Sequence, residues 1–260
     1  MKEKFYLLVV VIFMLVLGNP LNAFAYGWGY KKSHDHQAPE FGVYGQMMDH
    51  YNAIYLDQSG DKVVYLTFDN GYEQGYTADV LNVLKKLQVQ ATFFVTGHYA
   101  KSEPDLLKRM VEEGHVIGNH SYHHPDFTKM TKDEIKKELD SLESIVAENT
   151  SQKETVYLRP PRGTFNKQTI EWAEELGYVH VFWSLAFKDW EVKNQKGEQY
   201  AFEQITSQIH PGAIILLHTV SEDNAKALEK VIVHLQEEGY EFKNLDDLMM
   251  KQLLPKSFIY

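Results

Sequence analysis

Residues 62–69 read KVVYLTFD, a run of β-branched and aromatic side chains that ends in an acidic residue. A short apolar run of this kind predicts a buried β-strand. The next segment, Thr77–Leu87, carries apolar residues at helical spacing, and Ala91–Thr96 (ATFFVT) predicts a second strand. Residues 62–96 are therefore predicted to form a strand, a helix and a second strand.

The same alternation continues to about residue 250. Further strands are predicted at Val116–Asn119, Val156–Leu158, Val179–Trp183 and Ala213–Leu217. Helices are predicted at Ser102–Glu113, Thr131–Val146, Lys167–Leu176, Phe202–Ile209 and Glu222–Glu238. Continuous apolar strands alternating with amphipathic helices indicate a parallel sheet covered by helices. We expect an α/β fold, a distorted (β/α) barrel of parallel strands, with an open doubly wound sheet as the alternative.

Local capping signals support the predicted helix ends. Residues 131–134 read TKDE, a capping box that opens a helix. Gly114, Gly177 and Gly239 each follow the last apolar residue of a predicted helix, where a left-handed residue ends the helix. Ser102 is the predicted cap of the helix that has Pro104 in its first turn.

The composition is that of an ordinary globular protein. The chain has 260 residues and a formal charge of −10, which argues against nucleic acid as a partner. It has no cysteine, so disulfides, zinc–thiolate sites and cysteine nucleophiles are excluded. Twelve histidines remain as the candidates for metal chemistry. No glycine-rich phosphate-binding motif is present in the sequence.

The first 25 residues form a separate segment. Two lysines in Met1–Lys4 precede the uninterrupted apolar run Phe5–Leu17, and Ala23–Ala25 (AFA) supplies the small residues of a cleavage site. This three-part pattern predicts a secretory signal peptide, with a retained N-terminal anchor as the alternative. In either case we expect the rest of the chain to lie outside the cytoplasm. That rest is divided into an N-terminal extension at 26–61, a main domain at 62–250 and a tail at 251–260.

Residues 26–39 (YGWGYKKSHDHQAP) contain glycine, histidine and aromatic residues without a period. They predict an extended arm or linker. His34 and His36 could bind a metal, but on such an arm we expect them to be solvated.

Polar residues gather where the predicted strands end. In a parallel sheet the functional site lies at the carboxyl ends of the strands, so these residues are expected to meet. If their loop is helical, His120 and His124 are one turn apart and can bind one divalent ion, although His123 is an alternative partner for His120. Taken singly, each residue could have an ordinary structural role, such as a turn at Asp69. The residues at these ends are Asp69, Asn70, His120, His123, His124, Arg159, Arg162, Asp189, Trp190 and His218.

Five segments, in this order, resemble the motifs of the polysaccharide deacetylase family, also called the NodB-homology or carbohydrate esterase 4 family. They are Thr67–Gly71 (TFDNG), His120–His124 (HSYHH), Arg159–Gly163 (RPPRG), Asp189–Trp190 (DW) and Leu216–His218 (LLH). The resemblance covers about residues 63–248. It implies the family fold, which is a distorted (β/α) barrel. It also implies an enzyme that hydrolyses N-acetyl groups of amino sugars in a polymer.

The resemblance implies roles for the residues at the strand ends. Asp69 would be the general base toward water, and His218 the general acid toward the leaving amine. Arg159 would orient Asp69, and Asp189 would hold His218 in the correct tautomer. A divalent metal ion would be bound by His120, His124 and Asn70, with zinc as the first choice and cobalt or manganese as alternatives. An oxyanion site would lie near Tyr72. Trp190 and Leu216 would shape the acetyl pocket.

Two positions depart from the family pattern. Asn70 stands where the family has an aspartate ligand, so we expect a weakly held metal, and Ala186 stands where a further aspartate is usual. The segments TFDNGYE and SLAFKDW resemble the delta-lactam-forming N-acetylmuramic acid deacetylases of spore-forming bacteria. That branch implies a peptidoglycan substrate, deacetylated on the way to the muramic δ-lactam of spore cortex. We hypothesise that Arg162 contacts the lactyl carboxylate of this substrate.

Two other functions stay open at this point. A chitin-oligomer or xylan deacetylase belongs to the same family. A non-catalytic wall-binding module would explain Asn70 and Ala186. Such a module has no use for a base and an acid on opposite sides of a metal, so the retention of Asp69, His120, His124 and His218 argues against it. The expected partners are peptidoglycan glycan strands in the cell wall or cortex space of a spore-forming bacterium, and no nucleic acid or stable protein partner is implied.

Overall fold

A computed structural model describes residues 24–33, 35–51 and 53–253 of the chain. The strands, in chain order, are β1 (Tyr26–Gly27), β2 (Val63–Asn70), β3 (Thr92–Val95), β4 (Val116–Asn119), β5 (Tyr157–Leu158), β6 (Thr164–Phe165), β7 (Val179–His180), β8 (Leu185–Ala186), β9 (Ile214–His218) and β10 (Glu241–Lys243). The main sheet has the order β7-β5-β4-β3-β2-β9-β8, and β10 pairs with β2. Every pairing between these strands is parallel.

The main sheet curls into a half-barrel, which confirms the predicted distorted barrel rather than the open doubly wound sheet. All of β2 is buried, as expected for a central strand of a parallel sheet covered by helices. The N-terminal extension lies along the edge of this barrel. Ile54 forms a parallel bridge with Val181, and Leu56 forms an antiparallel bridge with Ala213.

Helices surround the sheet. They are α1 (Val43–His50), α2 (Thr77–Leu87), α3 (Gly97–Ser102), α4 (Pro104–Glu112), α5 (Lys132–Asn149), α6 (Lys167–Glu175), α7 (Glu198–Thr206), α8 (Glu222–Glu237) and α9 (Leu245–Leu253). The apolar stripe of α8 faces the core, because Leu228, Val231 and Leu235 are all buried there. Short 3-10 helices lie at Phe127–Lys129 and Pro161–Gly163. No helix in the described part of the chain is long and apolar enough to cross a membrane.

The capping predictions have mixed outcomes. The capping box at Thr131 is confirmed, and Gly114, Gly177 and Gly239 have φ angles of 85°, 88° and 85° that end their helices. The prediction of Ser102 as a cap is wrong. Ser102 ends the short helix α3, and α4 begins at Pro104, because the residue before a proline is disfavoured in the helical conformation.

Among the predicted elements, a helix and a strand have different bounds in the structure. The helix predicted at Phe202–Ile209 begins earlier, at Glu198, where Gly197 with a φ of 96° opens it. The strand predicted at Val179–Trp183 ends at His180, although Val181 still bridges to Ile54. Helices α1 and α9 were not predicted, although Leu245, Leu248 and Met249 of α9 stand at helical spacing.

The predicted arm at 26–39 packs against the barrel instead of extending as a linker. Its strand β1 pairs with β6, and the Trp28 ring stacks on Phe182 with 4.5 Å between ring centroids. Nε1 of Trp28 donates to the backbone oxygen of Trp183 at 2.8 Å. Burial of large aromatic rings holds such a segment even without periodicity. His36 lies 3.3 Å from the Tyr240 hydroxyl, and His34 lies outside the described residues.

Candidate active site

A cavity of about 870 Å³ opens at the carboxyl ends of the main-sheet strands. It brings together side chains from loops that are far apart in the sequence. The residues predicted for the site that line this cavity are Asp69, Tyr72, His120, His123, His124, Arg162, Trp190, Leu216 and His218. Arg159, Asp189 and Asn70 are buried behind this lining.

Asp69 lies near the end of β2 and is 7% exposed. Its Oδ1 accepts a hydrogen bond from Nη1 of Arg159 at 2.8 Å, and its Oδ2 lies 3.5 Å from Nε2 of His120. Burial alone would raise the pKa of Asp69, but the Arg159 charge and the imidazoles of His120 and His218 lower it below its usual value. Asp69 is therefore ionised near neutral pH.

Arg159 is fully buried and every side of its guanidinium is occupied. Nη2 donates to Oγ1 of Thr67 at 2.8 Å, and Nε donates to the backbone oxygen of Val181 at 3.2 Å. The group also lies 4.1 Å from the centroid of the Phe94 ring. A buried charge held by this many partners has little freedom, so Arg159 fixes the orientation of the Asp69 carboxylate.

The backbone of Arg159 also fixes the ring of His120. Nδ1 of His120 lies 2.8 Å from this backbone oxygen, and because a carbonyl only accepts, Nδ1 carries the proton. Nε2 therefore keeps a free lone pair. The His124 ring centroid lies 4.8 Å away, and burial lowers the pKa of both rings, that of His124 to about 4. The site thus contains two neutral imidazoles side by side.

The loop after β4 does not form the helical turn considered for the two histidines. Ser121 and His124 have φ angles of 64° and 60°, and the His124 N–H donates to Oγ of Ser121 at 2.9 Å. This tight loop brings the rings together without a helix. His123 is turned outward, with Nδ1 2.7 Å from Oε1 of Glu138. His124 and not His123 is therefore the neighbour of His120.

His218 ends β9 and is held by Asp189. Its Nδ1 lies 2.7 Å from Oδ1 of Asp189, and its backbone N–H donates to Oδ2 at 2.8 Å. Nδ2 of Asn224 donates to the same Oδ2 at 2.5 Å. Burial alone would lower the pKa of His218, but the carboxylates of Asp189 and Asp69 raise it above its usual value. His218 is therefore favoured in its protonated form.

The register of two neighbouring strands places these groups together. Strands β2 and β9 are paired so that Asp69 lies opposite His218. Side chains at paired positions of adjacent strands project from the same face of the sheet. The environments of the two groups push their pKa values apart, which is the arrangement of a general base beside a general acid.

Asn70 follows Asp69, and successive residues of a strand face opposite sides of the sheet. Asn70 is fully buried, and its Nδ2 donates to Oγ1 of Thr219 at 2.7 Å. Its Oδ1 has no hydrogen-bond partner among the residues that the structure describes. Asn70 is not among the residues that line the cavity, and its role as a metal ligand stays a prediction.

Exposed side chains surround the mouth of the cavity. Tyr72 and Trp190 are 41% and 49% exposed, which is unusual for aromatic residues, and the Trp190 ring lies 5.4 Å from the His218 ring. Leu216 lies deeper and is almost buried. Arg162 is exposed, with a φ of 61° that turns it away from the buried Arg159. The mouth is therefore aromatic on one side and cationic on the other.

Several supporting residues were missed by the sequence analysis. Thr67, two positions before Asp69 on the same face of β2, was detectable from strand alternation. Asn224 supports Asp189 from the first turn of α8, and nothing in the sequence pattern indicates this contact. Lys101 lines the cavity from α3, a short helix that was not predicted, because the predicted helix began only at Ser102.

The side chains of the site can be compared with the ligands that a divalent metal ion requires. In the described ranges, no three His, Cys, Asp or Glu side chains form a ready metal cluster. His120 and His124 are nevertheless adjacent and neutral, with Asp69 beside them. Imidazole nitrogen with carboxylate oxygen is a donor set that suits zinc. The donor chemistry therefore fits a divalent ion held by two histidines.

Comparison with known proteins agrees with this geometry. The sequence pattern described as "Polysaccharide deacetylase" matches residues 57–181. The peptidoglycan-N-acetylmuramic acid deacetylase PdaA of Bacillus subtilis (strain 168) is 53% identical over 226 residues, which cover 86% of each chain. This chain belongs to the polysaccharide deacetylase family. It is accordingly a hydrolase, and the resemblance read from the motifs is confirmed.

Solved structures show the same relationship. The structure of Bacillus subtilis PdaA, a family 4 carbohydrate esterase, matches with a TM-score of 0.86 and 52% identity, and the match covers 88% of this chain and 98% of that one. A family 4 carbohydrate esterase from Bacillus anthracis matches with a TM-score of 0.74 and 45% identity, over 89% of this chain and 99% of that one. The predicted fold is therefore confirmed over nearly all of these relatives' length.

Proposed function

We propose that this enzyme removes the N-acetyl group of N-acetylmuramic acid in peptidoglycan. Similarity to PdaA supports the choice of substrate. The pairing of Asp69 with His218 across β2 and β9 is the observation that carries the chemistry. The products are acetate and a free muramic amine, which can close on the lactyl carboxylate of the same sugar to give the muramic δ-lactam of spore cortex.

Hydrolysis of an amide requires an activated water and a protonated leaving amine. Asp69 would take a proton from water as the water oxygen attacks the acetyl carbon. His218 would give its proton to the amine nitrogen as the carbon–nitrogen bond breaks. One proton thus enters at Asp69 while another leaves His218, and the pair returns to its starting state by exchange with solvent.

A divalent metal ion, when bound, supplies Lewis-acid polarisation of the acetyl carbonyl and of water. We assign its binding to Nε2 of His120 and to His124, with zinc as the first choice and cobalt or manganese as alternatives. The hydrogen bond from Nδ1 of His120 to the Arg159 backbone supports this role, since it orients the ring and leaves Nε2 as the donor atom. Because Asn70 lies on the other face of β2, we expect the ion to be weakly held.

The remaining lining residues would bind the substrate. Trp190 and Leu216 would shape the pocket for the acetyl group, and the backbone N–H near Tyr72 would donate to the developing oxyanion. Arg162 would bind the lactyl carboxylate. Its support is that it lines the cavity, is exposed, and has no ion pair with an acidic residue in the described ranges.

The proposal also locates the enzyme outside the cytoplasm, on the outer side of the membrane or in the cell wall and cortex space. The support is the segment at 1–25, which resembles a signal peptide or N-terminal anchor and lies almost entirely outside the described residues. The extension at 26–61 would then lead into a catalytic domain at 62–250, followed by a tail at 251–260.

Acetate release tests this function. Purified enzyme would be incubated with peptide-stripped, cortex-type glycan and, separately, with chitin oligomers, each with and without a chelator. We expect acetate from the muramic glycan, loss of activity with chelator, and recovery after adding back zinc, cobalt or manganese. Mass spectrometry would locate the lost acetyl group on the muramic sugar.

Two results would replace the proposal. Acetate from chitin oligomers but not from cortex-type glycan would favour the chitin-oligomer deacetylase. Absence of acetate from every glycan, in a preparation reconstituted with metal and shown to be folded, would favour the wall-binding module.

A further inference from the structure

We propose that Lys101 and Tyr122 form a second, flanking sugar subsite that takes the next carboxylate-bearing sugar of the glycan, two sugars away from the one being deacetylated. This inference rests on the proposed function, because it concerns a longer stretch of the same glycan. It starts from two cavity-lining residues that the reaction itself does not use.

Lys101 is an exposed cation without an acidic partner. No carboxylate of the described residues lies within ion-pair distance of its ammonium, whereas Lys85, Lys86 and Lys108 on the neighbouring helices are all paired. Other described lysines, such as Lys196 and Lys230, also have no ion pair, but among the described lysines Lys101 alone lines the cavity. A cavity-lining cation of this kind attracts an anionic group of the ligand.

Tyr122 holds this ammonium at the cavity. The Nζ atom of Lys101 lies 5.2 Å from the centroid of the Tyr122 ring, within the range of a cation–π contact. The backbone N–H of Gly97 donates to the Tyr122 backbone oxygen at 3.0 Å, which holds the Tyr122 backbone against the start of α3. The half-buried ring and the ammonium together form one surface that is apolar on one side and cationic on the other.

Gly97 is required for this arrangement. A Cβ atom added at Gly97 would lie 2.4 Å from Cδ2 of Tyr122, a distance that no ordinary contact allows. The absence of a side chain therefore lets the Tyr122 ring lie directly on the first turn of α3. Lys101 follows four residues later on the same helix, which places it on the same face.

The strand order separates this subsite from Arg162. Lys101 follows β3 and Arg162 follows β5, while the histidine loop follows β4 between them. Lys101 and Arg162 therefore lie on either side of the histidine loop, with Asp69 and His218 on the next strands beyond Lys101. A glycan that carries a lactyl carboxylate on every second sugar can place one carboxylate at Arg162 and another at Lys101.

The test compares short and long glycans. KM and kcat for acetate release would be measured on peptide-free glycan of one and of three repeats of N-acetylglucosamine and N-acetylmuramic acid. For Lys101→Met we expect KM to rise roughly tenfold on the longer glycan, as for loss of one charge-assisted hydrogen bond, with kcat unchanged. On the single repeat we expect no change, because that substrate does not reach Lys101.

Lys108→Met is the matched control. It removes the same charge from the adjacent helix, outside the cavity lining, where its pair with Glu112 is exposed. We expect wild-type kinetics on both glycans. Tyr122→Leu should give part of the Lys101→Met effect on the longer glycan only, since it releases the ammonium without removing it.

The outcomes separate this subsite from the proposed function. Equal KM values for wild type and Lys101→Met on the longer glycan would overturn the subsite while leaving the deacetylase intact. The same rise in KM for Lys108→Met would also overturn it, since the effect would then be one of overall charge. Absence of acetate from both glycans with the wild-type enzyme would instead refute the proposed function.

Discussion

Two arginines of the segment RPPRG lie three residues apart in opposite surroundings. Arg159 is fully buried and hydrogen-bonded to Asp69, whereas Arg162 is exposed at the cavity mouth. We call the two surroundings the floor and the rim. The floor consists of Asp69, His120, His124, Arg159, Asp189 and His218, and the rim consists of Tyr72, Lys101, Tyr122, Arg162 and Trp190.

The comparison separates chemistry from selection. Floor groups contact one another through short hydrogen bonds in buried surroundings, so the carboxylates and imidazoles are held in fixed orientations, and the pKa values of Asp69 and His218 are shifted. Rim groups line the cavity mouth and, apart from the half-buried Tyr122, are exposed, so they are available to a ligand. Under the proposed function, the floor would act on an N-acetyl group that reaches it. The rim would meet the rest of the sugar and so decide which glycan is accepted.

The largest effect is expected at the floor from Asp69→Asn. The amide oxygen can still accept from Arg159, but it cannot take a proton from water, so kcat should fall by about 10²–10⁴. Acetate release would give kcat, and circular dichroism would check that the fold is retained. Turnover close to that of wild type would remove Asp69 from the role of general base.

A smaller effect, with a change in pH dependence, is expected from Asp189→Asn. Asp189 raises the pKa of His218, and a general acid works only while protonated, so activity should be lost as pH rises through that raised value. In the variant the pKa of His218 falls, and the alkaline limb of kcat against pH should move to lower pH, with kcat at neutral pH reduced roughly tenfold to a hundredfold.

The pH profile distinguishes this role from a merely structural one. An unfolded fraction would lower kcat equally at every pH, whereas loss of the Asp189 charge shifts the alkaline limb. An alkaline limb that stays in place in Asp189→Asn would mean that another group supplies the proton.

The smallest effect is expected from Trp28→Phe, which changes a residue that contacts chain neighbours of both regions but no floor or rim residue itself. The Trp28 backbone N–H donates to the backbone oxygen of Gly163, the residue after Arg162 of the rim. Its indole N–H donates to the backbone oxygen of Trp183. The preceding residue, Phe182, accepts a hydrogen bond from Arg159 of the floor through its backbone oxygen. Phenylalanine keeps the stack but loses the indole hydrogen bond. We expect a loss of about 1 kcal/mol in the free energy of unfolding and a few-fold fall in kcat/KM.

Tyr51→Phe provides the comparison for Trp28→Phe. It removes a single hydrogen bond, to Glu171 at 3.1 Å, from the same aromatic cluster. We expect a similar change in stability, measured by urea unfolding, with kcat/KM unchanged. If both variants lower kcat/KM equally, the effect of Trp28 comes from stability alone and not from its contacts to the site.

Local signals in the sequence were sufficient for most of the fold. Helix α2 and strand β4 have their predicted bounds, because a regular apolar period and a short apolar run are each set by neighbouring residues. The glycines after three helices were equally informative, since the left-handed φ that ends a helix strongly favours glycine. Elements such as β1 and β8 were missed because they are two residues long and depend on partners elsewhere in the chain.

Site residues that belong to a sequence motif could be predicted. Site residues that are placed only by tertiary contacts could not. Asp69, His120 and His218 were identified from strand ends and from the family motifs, and they meet in one cavity. Asn70 belongs to the same motif, yet the alternation of β2 turns its side chain away from that cavity. The contact of Asn224 with Asp189 depends on how α8 lies beside β9, which no local pattern encodes.

The most direct test of the division between floor and rim is the ratio of kcat/KM on cortex-type glycan to kcat/KM on chitin oligomers. This ratio would be measured for wild type, Arg159→Lys and Arg162→Lys. The account predicts that Arg159→Lys lowers both values and leaves the ratio unchanged, whereas Arg162→Lys lowers the ratio. A ratio that changes with Arg159→Lys and stays constant with Arg162→Lys would contradict it.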